Sequence, residues 1–291
     1  MPKEIKKYDF KPSVKPQLEV ISLQKLVAEH KQELVKPHRT DFYHVFLFNN
    51  CSPIHLIDFN PIQIQPFTPL FINKNRIHRF DPSLKYEGYL LVFTDNFFCT
   101  NSSDFNYLQS TVLFSDFTDN QGFQIGNKIF KQLYNICNAI NTELTLPADK
   151  TQHAILKNLL HNFLLISERE KLKHNFVELK IGADFDQALR FKELLEKNFK
   201  KLKNVEEYAK KLNISEKRLR KAILNTMDKA PKKLIDERIL LEAKRLLAYD
   251  NKPIKEICFE LGFEEPTNFI KYFRKHTGKT PSEFREEFIQ L

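Results

Sequence analysis

The residues of this chain with most chemistry to offer are nine histidines and four cysteines, and neither set is spaced for catalysis. His38, His44, His55 and His78 fall in one stretch, but the His-x-His pair of a metal-binding barrel is missing, because Thr40 stands two residues after His38. Of these, His38 or His78 reads as a pocket group that orients a ligand, the alternative being that the imidazoles are structural hydrogen-bonding groups, with no metal assigned. Cys51, Cys99, Cys137 and Cys258 are scattered without a Cys-x-x-Cys pair, which argues against a disulfide framework and a cysteine-based zinc site and fits a reducing compartment. The six glycines, Gly88, Gly122, Gly126, Gly182, Gly262 and Gly278, cannot build a glycine-rich phosphate loop. No Ser/His/Asp or Cys/His arrangement is legible, so the chain is read as a non-enzyme without a cofactor.

What remains is basic. Lys plus Arg is 46 against 37 for Asp plus Glu, a formal charge of +9 and a pI near 9.2, which favours a polyanionic partner such as nucleic acid. From Ile181 onward there are 25 basic and 19 acidic residues, a balance of +6, so the shorter carboxy-terminal part is the more basic one. With 291 residues, 42% of them hydrophobic, the chain can bury sizeable cores and fits two domains. The segment Met1-Pro-Lys-Glu-Ile-Lys-Lys-Tyr8 has no apolar run behind it, and nowhere do 18 apolar residues follow one another. A soluble, cytoplasmic protein with no membrane partner is expected.

The hydrophobic period changes along the chain. Short runs rich in Phe, Ile and Val (Phe42–Phe48, Ile54–Phe59, Leu70–Ile72, Ile77–Phe80 and Tyr89–Phe93) are separated by turn clusters such as Asn49-Asn50-Cys51-Ser52-Pro53 and Asp81-Pro82-Ser83, the pattern of a small sandwich or barrel. Beyond Gln121 the period becomes helical. Ile125, Ile129, Leu133, Ile136 and Ile140 form one stripe, and a second helix follows Asp149, an N-cap with Gln152 at N3, carrying Leu156, Leu159, Leu160 and Phe163. These two helices either pack on the barrel or present an outer face as a dimer seam. A linker is expected from Lys173 to Asp184, and everything from Phe185 reads as an all-α module.

That module contains a repeat. Val205, Tyr208, Ala209, Leu212 and Ile214 match Ile254, Ile257, Cys258, Leu261 and Phe263 at a shift of 49, and Leu219, Ile223 and Pro231 match Phe269, Phe273 and Pro281 at a shift of 50. Each copy reads as a helix, a tight turn and a second helix, with Asn213 or Gly262 where a positive φ is wanted. Asn204 with Glu207 and Thr280 with Glu283 form capping boxes, Pro253 and Pro281 take first-turn positions, and Asp250-Asn251 ends a helix. Between the copies, Pro231 to Ala248 forms an amphipathic rod (Leu234, Ile235, Ile239, Leu241, Ala243, Leu246, Leu247) about 27 Å long. Such a rod can hold two recognition helices about one turn of B-DNA apart.

Residues 185 to 291 resemble the DNA-binding domain of AraC/XylS-type transcription regulators. The resemblance rests on Leu212-Asn-Ile-Ser-Glu-Lys-Arg-Leu-Arg220, Glu237-Arg-Ile-Leu-Leu-Glu-Ala-Lys-Arg-Leu-Leu247, Ile254-Lys-Glu-Ile-Cys-Phe-Glu-Leu-Gly-Phe263 and Phe269-Ile-Lys-Tyr-Phe-Arg-Lys-His-Thr-Gly-Lys-Thr-Pro281. The first copy departs from the family pattern at Asn213, Ile223 and Asp228. By this resemblance the first recognition helix, Ser215 to Asn225, directs Lys217, Arg220 and Lys221 at the groove, with Arg218 and Lys221 suited to phosphates. The second, Glu265 to Lys275, directs Thr267, Asn268, Lys271 and Arg274, and Glu264 and Glu265 cap it. Arg and Lys suit guanine O6/N7, and Asn suits adenine.

Pro37-His-Arg-Thr-Asp-Phe-Tyr43, Phe71-Ile-Asn-Lys-Asn-Arg-Ile-His-Arg-Phe80 and Gly88-Tyr-Leu-Leu-Val-Phe93 resemble, more loosely, the cupin-like sensor barrel of the same family. The resemblance implies an α+β multidomain fold. An amino-terminal cupin-like β-barrel with dimerisation helices spans residues 1–175, and an all-α domain with two helix-turn-helix motifs on a linker helix spans 183–291. It implies double-stranded DNA and a second copy of the chain as partners, RNA polymerase as a further one, and an unknown small-molecule effector near His38, Arg39, His78 and Phe80. Phe80 stands where a sugar-binding relative has a hydroxylated aromatic, which favours an apolar or carboxylate-bearing effector. The 27 phenylalanines, with Phe42, Phe46, Phe48, Phe59, Phe71, Phe80 and Phe93 in the barrel, suggest that some line a cavity. Two alternatives stay open: a constitutive DNA binder with a structural barrel, and a cupin-type metal enzyme with a DNA-binding tail.

Overall fold

A computed structural model describes residues 6–10, 16–81, 86–114, 122–175 and 183–289, and the chain divides into two compact units, Lys6–Glu178 and Leu179–Leu291. In the first unit β1 (Lys6–Tyr8), β3 (His38–Thr40), β8 (Ile77–Arg79), β5 (Ile54–Ile57) and β6 (Asn60–Gln63) form one sheet in that order. The other sheet runs β2 (Leu18–Ser22), β9 (Gly88–Phe93), β4 (Tyr43–Phe48) and β7 (Thr68–Ile72). Only β1 with β3 is parallel among the described pairs.

Alternation along β4 organises both cores of this unit, because every residue of the strand is buried and successive side chains face opposite ways. Phe46 and Phe48 join Ile57, Ile62, Leu70, Ile72, Phe80, Leu90 and Val92, drawn from both sheets, in one core. Tyr43, Val45 and Leu47 join Phe71, Leu91 and Phe93 in another, against helices α2 (Asp95–Phe98), α3 (Ser102–Ser110), α4 (Asn127–Thr145) and α5 (Gln152–Asn175). The aromatic excess therefore divides: Phe46, Phe48 and Phe80 pack between the sheets, whereas Phe71 and Phe93 lie under the helices.

Several expectations need correction. Strand β2 runs directly into helix α1 (Leu23–Leu34), whose N-cap Ser22 accepts from the Lys25 amide at 3.4 Å, and no turn cluster announces either element. Strand β6 contains Pro61 and polar Asn60 and Gln63, as an edge strand tolerates, so its composition hid it. The stripe on α4 is core within the unit, Leu133 and Ile140 fully buried and Ile136 nearly so, with Leu156, Leu160 and Phe163 of α5 in the same core, whereas Ile125, buried too, precedes the helix, whose N-cap is Gly126. Asp149 does cap α5, its Oδ1 accepting from the Gln152 amide at 2.8 Å. The expected linker lies mostly outside the described residues, and its flanks are helical, in α5 up to Asn175 and in the next helix from Ala183. Pro82 and Ser83 of the turn expected there, and the first five residues, also lie outside them.

The second unit is helical throughout its described residues: α6 (Ala183–Asn198), α7 (Val205–Lys211), α8 (Glu216–Met227), α9 (Pro231–Tyr249), α10 (Ile254–Glu260), α11 (Pro266–Thr277) and α12 (Pro281–Ile289). Tyr208, Ala209, Leu219 and Ile223 of the first repeat are buried, as are Ile257, Cys258, Leu261, Phe269 and Phe273 of the second. Asn204 donates its amide to Glu207 Oε2 at 3.1 Å and Thr280 to Glu283 Oε2 at 2.7 Å, so both capping boxes form. Pro253 stands one place earlier than expected, at the N-cap of α10.

Candidate nucleic-acid interface and histidine cluster

The two repeats share their turn and helix-end positions, offset by 49 residues up to the turn and by 50 beyond it. The turns into the recognition helices pass through Asn213 at φ 55° and Gly262 at φ 76°, and α8 and α11 both end on left-handed residues, Asp228 at φ 49° and Gly278 at φ 78°. Aspartate and asparagine tolerate this region by local hydrogen bonding, so the first copy forms the same turns without glycine. At Gly262 the demand is stricter, because a Cβ would stand 1.7 Å from the Lys200 carbonyl oxygen. Ser215 Oγ caps α8 by accepting from the Arg218 amide at 3.2 Å. Glu265 occupies the N-cap of α11, but its side chain makes no cap hydrogen bond, contrary to expectation; Pro266 starts that helix instead.

On α8, Lys217, Arg220 and Lys221 are exposed along one side, and on α11 Thr267, Asn268, Lys271 and Arg274 are exposed. Arg220 also pairs with Glu216 at 3.3 Å, an exposed contact easily exchanged. Arg218 departs from its neighbours: its guanidinium is paired with Asp184 at the start of α6, and Asn225 donates to the same carboxylate at 2.8 Å. The structure thus uses Arg218 to dock α8 on α6.

Three tethers that periodicity could not reveal hold the two repeats and the rod. Lys203 Nζ donates to the Leu261 carbonyl at 2.6 Å and to that of Lys200 at 3.2 Å, and lies 4.7 Å from the Phe263 ring centre. Burial, with Lys232 nearby, pulls this ammonium down to about 8. Tyr272 of α11 donates to Asp236 Oδ1 on α9 at 2.8 Å. Arg238 of α9 reaches Glu196 at 2.9 Å and Glu242 at 3.0 Å over the face of Phe199. These are long-range pairings of charged residues that one-dimensional patterns leave unassigned.

Residues 208–287 match the family described as a helix-turn-helix domain. The chain carries an AraC-type helix-turn-helix domain. It is similar to the HTH-type transcriptional activator RhaS of Mannheimia succiniciproducens, 22% identical over 87% of this chain and 90% of the relative. It is also similar to the Msm operon regulatory protein of Streptococcus mutans, 28% identical over 62% of this chain and 63% of that protein. The solved structure of ToxT from Vibrio cholerae aligns with 92% of this chain and 97% of its own at 16% identity and a TM-score of 0.43. The two named relatives are by name regulators of transcription or of an operon, and the matched helix-turn-helix domain falls on the part of this chain that carries the two repeats.

In the amino-terminal unit, three of the four expected ligand residues meet. His38, His78 and Phe80 are buried together, and His44 and His55, to which the sequence gave no ligand role, complete the group. The His78 ring centre lies 4.4 Å from that of His38, 4.7 Å from His44 and 5.3 Å from His55. Phe46, Phe80 and Tyr86 surround them. Arg39, one residue along β3, faces the other way by the pleat and does not join the cluster. His55 Nε2 and His78 Nδ1 stand 3.1 Å apart, while His55 Nδ1 and His78 Nε2 are buried without a partner. Burial holds all four imidazoles below their usual value, His55 down to about 3, so they are neutral near pH 7. Among the described residues no three of His, Cys, Asp or Glu are placed to hold a metal. No described helix is long and apolar enough to cross a membrane.

Proposed function

We propose that this chain is an effector-responsive, sequence-specific regulator without catalytic activity, working in the cytoplasm as a homodimer and acting on RNA polymerase. The observation that carries the reading is the pair of register-matched helix-turn-helix copies with exposed basic outer faces on α8 and α11. Lys217, Arg220 and Lys221 serve one half-site, and Thr267, Asn268, Lys271 and Arg274 the other, in successive major grooves. Arg218 reaches phosphate only by leaving Asp184. Selection of duplexes by the full chain, followed by footprinting, tests this: two protected patches about one helical turn apart are expected. A single patch altered by both sets of substitutions would contradict it.

The effector site is assigned to the histidine cluster. Whichever of His55 and His78 carries the shared proton, one outer nitrogen then donates and the other accepts. A hydroxyl or un-ionised carboxyl group on an apolar body matches that pair. The inward residues of α4 and α5 are core, so the dimer contact is assigned to the outer side of α5, where Ile155 and Leu165 are exposed. Thermal-shift screening of hydroxylated and carboxylated apolar compounds tests the sensor. Stabilisation by none, with unchanged DNA affinity, would favour a constitutive binder with a structural barrel.

A further inference from the structure

The exposed large apolar side chains of the second unit, among the described residues, are Leu224, Phe259 and Ile270, with 54%, 49% and 37% of their surface open. Two of the three lie on the recognition helices. On α8, Leu224 projects between Arg220 and Lys221; on α11, Ile270 lies one turn before Arg274 on the same side. Both helices pack through other residues, Leu219 and Ile223 or Phe269 and Phe273, so folding does not explain these aliphatic groups within a basic face. The shared caps fix how the copies correspond: Ser215 with Glu265 and Asp228 with Gly278, a shift of 50. At that shift Arg220 corresponds to Ile270, and Leu224 to Arg274.

We propose that each recognition helix reads one guanine with an arginine and one thymine methyl with an aliphatic side chain, in opposite order: Arg220 then Leu224 on α8, Ile270 then Arg274 on α11. In the major groove guanine offers O6 and N7 to a guanidinium, and thymine is distinguished by an apolar C5 methyl. A separation of four residues is about 6 Å along a helix, so the two bases of a half-site lie within about two steps of each other. The half-sites are consequently not direct repeats, although the helices that read them are. The inference rests on the reading of α8 and α11 as the groove-facing helices.

The test uses the full chain to select from a random duplex library, then remakes selected duplexes with deoxyuridine at single thymidines, which removes the methyl alone. One position in each half should lose affinity about fourfold, the worth of one buried methyl. Leu224→Ala should abolish that loss in one half and Ile270→Ala in the other. Arg220→Ile combined with Leu224→Arg should reverse the order of the preferred guanine and thymine in the α8 half only. Uracil bound as tightly as thymine at every position, or a methyl dependence that survives both alanine variants, would overturn the inference. A library from which no duplex is enriched defeats the groove-facing reading itself; enrichment without methyl dependence defeats only this step.

Discussion

Mild acid should unfold the amino-terminal unit before the carboxy-terminal one. His44, His55 and His78 are fully buried and held well below their usual range, by loss of water first and by neighbouring imidazoles second. In the unfolded chain each titrates near 6.5, so their contribution is intact above that value and is lost as pH falls toward the depressed folded values. At pH 5.5 each unfolded imidazole is favoured by about 1.4 kcal/mol, about 4 kcal/mol for the three, against a typical domain stability of about 5 to 15 kcal/mol. His38, less deeply perturbed, adds to this. With a urea slope of about 2 kcal/mol/M, the midpoint should drop by about 2 M between pH 7.5 and 5.5. Circular dichroism follows it, and the second unit, whose single histidine His276 is exposed, provides the internal reference. His44→Gln should remove about a third of the pH effect. A midpoint that stays constant or rises over this range would refute the reasoning.

Lys203→Met keeps the apolar stem but leaves the Leu261 carbonyl without its ammonium donor, and should destabilise the second unit by about 1.5 to 3 kcal/mol in thermal unfolding. An unchanged transition would show the tether to be idle. Gly262→Ala should be at least as damaging, since its Cβ meets the Lys200 carbonyl oxygen; a variant melting like the wild type would contradict that geometry. Arg220→Ala or Lys271→Ala should each cost about 1 to 3 kcal/mol on the selected site in gel-shift titrations. Affinity should fall steeply with salt, by about 0.9 in log–log slope for each phosphate neutralised; a salt-independent complex would argue against the basic faces. Leu133→Asp should unfold the first unit, whereas Ile155→Asp with Leu165→Asp should leave it folded and shift sedimentation toward monomer. Unchanged sedimentation would count against the proposed dimer contact on α5.

The carboxy-terminal unit was largely legible because its information is local. Repeated apolar spacing, capping boxes and the residues Asn213 and Gly262 each specify structure within a few positions, and the structure follows them. Arg218 was one exception, since its partner Asp184 is 34 residues away and nothing in helical spacing points to it. The amino-terminal unit was less legible. Strand β3 spans only three residues, β6 contains a proline, and β2 passes into α1 without a turn, so none carries a strong alternating signal. The histidines are spread over 41 residues, and only pairing of β3 with β8 and β8 with β5 gathers His38, His55 and His78. Burial of the α4 stripe was a question of partner, and periodicity reports a face without saying what covers it.

Strand β4 has a bearing on how this protein can vary. Its six residues are shared between two cores, and a strand's side chains change sides with every residue. Inserting or deleting one residue within Tyr43–Phe48 would exchange the sets, sending part of the histidine cluster toward the helices and Tyr43 toward the other sheet. Point substitutions can retune either core alone, because no β4 side chain serves both. On the proposed effector reading, variation in ligand preference across descendants of this chain should therefore accumulate as replacements at His44, Phe46 and Phe48, with length changes confined to the loops, while the helix-facing positions stay fixed by packing.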